Sequence, residues 1–112
     1  MPYSVYVIAL KSEVLEERSF SEENPCYKEG KPCVYVGYTS KTPAERYQQH
    51  AAGARSRKGY GIYNKYAFKY HDGLRPKLYE KYNPIEALDR AKEIEKKLAT
   101  KLRKKGYAVW QR

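Results

Sequence analysis

Two short apolar runs, Tyr3–Leu10 (YSVYVIAL) and Pro32–Tyr38 (PCVYVGY), constrain this chain more than any other feature. Both are rich in β-branched and aromatic residues, the composition of buried strands. Between them Lys11–Lys31 is polar and acidic, with Asn24-Pro25 as a turn signal and Gly30 near its end. The pattern predicts two strands of a hairpin joined by a long polar excursion at about residues 11–31. At 112 residues the chain fits one domain with a single core.

Helix signals follow the second strand. Thr42-Pro43-Ala44-Glu45 offers a capping Thr, a Pro at the first helical position and a Glu at the third. This predicts a helix from Pro43 to about Ala52, stopping before Gly53, with Arg46 and His50 four apart on one side. Gly61–His71 carries Ile62, Tyr66 and Tyr70 at four-residue spacing and predicts a second short helix. Leu74–Tyr82, with Pro76 inside it, fits a third, edge strand. Asn83-Pro84-Ile85-Glu86 repeats the capping grammar before the strongest helical pattern, which persists to about Lys105 and ends at Gly106. Tyr107–Trp110 reads as a short terminal strand or an apolar clasp. The expected class is α+β, a small three-stranded antiparallel sheet flanked by helices.

One residue breaks the pattern of the last helix. Its apolar stripe is Leu88, Ala91, Leu98, Ala99 and Leu102, and Glu95 falls inside that stripe while Glu93 points outward. A buried carboxylate costs several kcal/mol unless it has a partner or a metal ion. A paired structural Glu and a functional one fit this helix equally well, and Arg46 is the candidate for a second inward polar group.

Charge narrows the partner. Residues 1–30 carry three basic and six acidic side chains, whereas residues 31–112 carry 20 and seven. A positive field of that size attracts a polyanion, and nucleic acid is the commonest one in a cytoplasm, although solubility alone also rewards net charge. Arg55, Arg57, Lys58 and Lys65, interleaved with Tyr60 and Tyr63, are the candidates for substrate-backbone contacts. Lys101–Lys105 reads rather as a solvated helix end, where cations suit the dipole. The 13 tyrosines suit a half-wet core, and composition does not say which are functional. No apolar run approaches the roughly 20 residues of a membrane span, and no basic leader precedes Tyr3, so a cytoplasmic protein beginning near Met1 is expected. Cys26 and Cys33 are expected to stay reduced, two thiols being too few for a zinc site.

In these residues the chain resembles the GIY-YIG nuclease family. Ser4-Val5-Tyr6 stands for the first strand motif and Tyr35-Val36-Gly37 for the second. Tyr35–His50 (YVGYTSKTPAERYQQH) looks like the family's second strand, turn and first helix, with its arginine at Arg46 and a His four later. Glu95 matches the family's later inward Glu by its spacing to Leu98, Ala99 and Tyr107. The chain departs at Ser4, where Gly is usual, in the length of the excursion, and at Ala108, where many members carry Asn. Asn64 is the candidate substitute for that contact.

The resemblance implies hydrolysis of a phosphodiester, DNA in preference to RNA, with one divalent ion, Mg2+ or Mn2+, held by Glu95. Arg46 would hydrogen-bond the phosphate, and Gly37 would lie against the substrate. Tyr6 would act as base, with Tyr35 or His50 orienting the water or phosphate. An ordinary tyrosine has a pKa of about 10, so His50 is the rival base, and by spacing alone also an exposed helix residue. Two competing readings carry no catalysis: a nucleic-acid-binding module of the same fold, and a subunit docking on an acidic protein. A homodimer is compatible with cutting two strands.

Overall fold

The computed structural model describes residues 2–54 and 64–111. Strand β1 (Ser4–Leu10) pairs antiparallel with β2 (Cys33–Thr39) along its whole length, from Ser4↔Thr39 to Leu10↔Cys33. The two apolar runs thus form the hairpin that their composition predicts. The polar excursion between them is not solvent-bound throughout. It folds into a 3-10 turn (Ser12–Glu16) and a short helix α1 (Arg18–Glu22), which bury Val14 and Phe20.

Helix α2 (Pro43–Ala52) carries the predicted capping box: Glu45 N–H donates to Thr42 Oγ1 at 3.1 Å, and Thr42 N–H donates to Glu45 Oε1 at 3.2 Å. It ends at Gly53, whose φ of 63° is left-handed backbone, which costs glycine nothing. Helix α3 (Lys65–Tyr70) buries Tyr66 and Tyr70, while Ile62, the first residue of that pattern, lies outside the described residues.

The edge strand is β3 (His71–Leu74), antiparallel to β1, instead of Leu74–Tyr82. Pro76, with its fixed φ and missing N–H, opens a 3-10 turn (Pro76–Leu78), and a second follows at Glu80–Tyr82. The long helix α4 (Leu88–Lys104) starts later than the capping grammar predicts. Asn83 does not cap it. Its Oδ1 accepts from Val5 N–H at 2.9 Å and its Nδ2 donates to Val5 C=O at 2.8 Å, so its amide completes the edge of β1 where β3 stops short. Ile85 then pairs with Tyr3 as an isolated bridge. Leu88, expected in the apolar stripe, is 38% exposed at the first turn, whereas Ala91, Glu95, Leu98, Ala99 and Leu102 are buried.

Among the described residues the sheet has four strands, not three. Tyr107–Trp110 contributes to β4 (Ala108–Gln111), which lies parallel to β2, giving the order β3-β1-β2-β4. A parallel neighbour requires a crossover, and α4 supplies it by packing on the sheet before the chain returns. The mixed α+β class stands, with one parallel pair.

Side chains alternate across the sheet. Tyr6, Ile8, Tyr35 and Trp110 share one face, where Phe20, Tyr66 and His50 meet them. Val5, Val7, Val34, Val36, Val109 and Gln111 share the other. Contacts of Gln111 with Glu95 and Arg103 mark that second face as the one α4 covers. No helix among the described residues is long and apolar enough to cross a membrane.

Candidate active site

The register puts Tyr6 opposite Gly37 and Ile8 opposite Tyr35, and α2 lowers His50 onto the two tyrosines. Ring centroids of Tyr6 and Tyr35 are 6.1 Å apart, and the His50 ring stands edge-on to Tyr35 at 5.3 Å. Tyr6 and His50 are wholly buried, which excludes the reading of His50 as an exposed helix residue. The Tyr6 hydroxyl crosses the sheet directly over Gly37. A Cβ built on Gly37 would stand 2.6 Å from Tyr6 Oη, so only glycine leaves the phenol its place. Gly37 is the floor beneath Tyr6, because the neighbouring strand's ring takes the space that its missing side chain leaves.

Hydrogen bonds fix how these groups share protons. Asn64 N–H donates to His50 Nδ1 at 2.8 Å, so Nδ1 is the acceptor nitrogen. A neutral imidazole then carries its proton on Nε2. His50 Nε2 lies 3.0 Å from Tyr6 Oη and therefore donates to it. The Asn64 side chain is committed elsewhere: Oδ1 caps α3, accepting from Tyr66 N–H at 2.9 Å and Ala67 N–H at 3.1 Å. Ala108 is buried opposite Cys33, a position of the core.

Burial pushes the Tyr6 phenol well above its ordinary value, and the adjacent Tyr35 adds to the rise, while Arg46 pulls the other way. Arg46 is half-buried and donates from Nη1 to Gln49 Oε1 at 2.9 Å. It lines an open cleft of about 360 Å³ with Tyr38, Thr39, Lys41, Gln49 and Leu88 among its walls. Tyr38, Lys41 and Gln49 join the cleft without any motif in the sequence to mark them. Gln49 was accessible through its three-residue spacing from Arg46 on one helix.

Glu95 is 3% exposed, as its place on the stripe predicts, and Gln111 Nε2 lies 3.4 Å from Oε1. Gln111 stands opposite Val36, next to the Gly37 that underlies the Tyr6 hydroxyl, so α4 brings Glu95 to the same end of the sheet as Tyr6 but on the opposite, valine face. Glu93 points outward and pairs with Arg90 and Lys97. Among the described residues Glu95 is the only buried acidic side chain, and no group of three His, Cys, Asp or Glu stands ready to hold a metal. A closed zinc-type site is therefore a poor fit. A single acidic side chain is compatible with Mg2+ or Mn2+, hard ions that retain waters and take phosphate oxygens.

Of the expected substrate contacts, Lys65 is exposed at the start of α3, with Nζ 4.9 Å from the Tyr66 ring centroid. Arg55, Arg57 and Lys58, with Tyr60 and Tyr63, lie outside the described residues. Cys26 and Cys33 are both free, and burial pushes the Cys33 thiol up to about 11. Comparison of the chain with protein-family models, with curated proteins and with solved structures gave no match.

Proposed function

We propose that the chain is a divalent-metal-dependent endonuclease that hydrolyses the phosphodiester backbone of DNA. The observation that carries this reading is the Tyr6 hydroxyl seated over Gly37, hydrogen-bonded to His50 and within the influence of Arg46. A resting core does not need a wholly buried Tyr–His pair beside a half-buried arginine at the mouth of a cleft. Titratable groups perturbed by burial together with a specific charged neighbour are candidates for chemistry.

Arg46 binds the phosphate with two donors and opposes the charge that builds on it. Tyr35 wedges Tyr6 and His50 in place through ring contacts. His50 acts as a positioning residue. Because Nδ1 is occupied by Asn64 N–H, its Nε2–H faces the Tyr6 oxygen, so it stabilises negative charge there and does not take the Tyr6 proton. This favours the orienting role over the rival base. In the free protein burial keeps Tyr6 a phenol. It can act as base only as the phenolate, so in the loaded site its own proton would first pass to solvent, a loss that Arg46 and the His50 Nε2–H favour by stabilising the charge left behind. Glu95 would hold the divalent ion, which when bound supplies charge neutralisation at the phosphoryl and leaving oxygens.

The test is nicking of supercoiled plasmid in Mg2+ or Mn2+ by wild type, Glu95→Ala and Arg46→Ala. Metal-dependent nicking in the wild type, lost in both folded variants, is the expected result. A wild type inert on plasmid, branched DNA and RNA alike would return the chain to the binding-module reading.

A further inference from the structure

Beyond Glu95 the chain contains seven Lys or Arg and not one Asp or Glu. Helix α4 sorts these cations by direction. Arg103 turns inward, donating from Nη1 to Gln111 Oε1 at 2.8 Å and from Nη2 to Val109 C=O at 3.0 Å. Lys97 is taken by Glu93 at 2.8 Å. Lys96, Lys101, Lys104 and Lys105 remain exposed, and with Lys97 and Thr100 they line a shallow groove of about 550 Å³ on the side of α4 turned away from Glu95. Among the described residues no ion pair reaches any of these four.

The helix dipole accounts for part of this, because cations favour the C-terminal end, but its influence fades within the last turn. Lys96 lies more than two turns from that end. Holding four like charges on one face without counter-charge costs self-repulsion, which a polyanion relieves. From Lys96 to Lys105 the ridge spans about 13 Å of helix. Four cations over that length approach the axial density of phosphates along one strand of a duplex, about one per 3.4 Å.

We propose that this outward face of α4 is a second docking surface for duplex DNA, gripping its phosphate backbone. It rests on the nucleic-acid reading above and extends it. The ridge and the Arg46 cleft hold different stretches of the substrate, so the ridge governs occupancy and leaves the chemical step to the cleft. Sequence specificity does not come from the ridge, since phosphate contacts carry none.

The test measures binding of a fluorescent 30-base-pair DNA duplex (about three turns) by anisotropy across a salt series in EDTA, where cleavage is off. The proteins are wild type, Lys101/Lys104/Lys105→Gln, and a control of equal charge loss, Lys11/Lys31/Lys77→Gln. The ridge variant is expected to lose close to three units of the slope of log affinity against log salt, about 0.9 per phosphate contact, while the control keeps the wild-type slope. In plasmid nicking it should raise KM and leave kcat unchanged. Equal slopes and affinities in the two triple variants would overturn the ridge, as would a wild type that does not bind the duplex. If the ridge variant loses binding while wild type proves unable to nick DNA, the nuclease reading falls and the docking surface stands.

Discussion

On one face of the sheet Val5, Val7, Val34, Val36 and Val109 meet α4 through side chains that carry no polar atom, and on the other Tyr6, Tyr35 and His50 fill comparable space with groups that donate and accept protons. The first face is indifferent to orientation and sensitive to volume. The second is held by directions: an Nε2–H aimed at a phenol oxygen, a backbone N–H aimed at Nδ1, and a ring lying across a glycine. Glu95 is the exception on the valine side, a charge set where its neighbours on the helix are Leu98, Ala99 and Leu102. The difference suggests that the valine face supplies the stability that lets the other face keep polar groups buried.

Substitutions should therefore separate stability from chemistry according to face. Leu102→Ala removes a fully buried side chain from α4 and should cost about 2–5 kcal/mol in denaturant unfolding, with cleavage per folded molecule unchanged. A loss of cleavage without loss of stability would break the division. Gly37→Ala stands between the two faces. Its methyl would collide with the Tyr6 hydroxyl, costing about 1–3 kcal/mol and, by displacing the phenol, lowering cleavage by roughly 100-fold. Normal activity in that variant would show that the seat of Tyr6 does not matter.

The smallest effect concerns the excursion. The Tyr70 hydroxyl donates to Glu17 Oε2 at 2.7 Å, and this bond, with lesser help from Lys69, holds the Glu17 carboxyl below its ordinary 4.5. A carboxyl depressed in the folded state stabilises the fold above the unfolded value, and that contribution disappears as pH falls through the folded one. Tyr70→Phe should raise the Glu17 midpoint in a carboxyl NMR titration and remove stability that is full above pH 4.5, the difference from wild type fading as pH falls below that value. An unmoved midpoint would show that the Tyr70 hydroxyl does not hold the Glu17 carboxyl.

How far the sequence discloses this arrangement is clearest at two segments with the same grammar. Thr42-Pro43 and Asn83-Pro84 each precede a Glu at the third helical position, yet only Thr42 caps a helix. Thr42 can offer the backbone a single hydroxyl, whereas the Asn83 amide carries a donor and an acceptor and so matches the Val5 peptide left open at the edge of β1. Local spacing cannot reveal that open edge. The same limit hid the parallel pairing of β4 and the burial of His50, which depend on partners far along the chain. Glu95 was legible because its helical spacing alone places it among Leu98, Ala99 and Leu102. Neither the register that pairs Tyr6 with Gly37 nor the hydroxyl resting on the glycine was legible, because both depend on how two strands separated by the long excursion align.

The most direct measurement is single-turnover cleavage of an end-labelled DNA duplex in Mg2+ by wild type and Tyr6→Phe, with duplex binding measured in parallel. A phenylalanine keeps the ring over Gly37 and removes only the oxygen that His50 faces. The account predicts cleavage by wild type, slower by about 100-fold or more in Tyr6→Phe, with binding unchanged. Equal rates in the two proteins would contradict it.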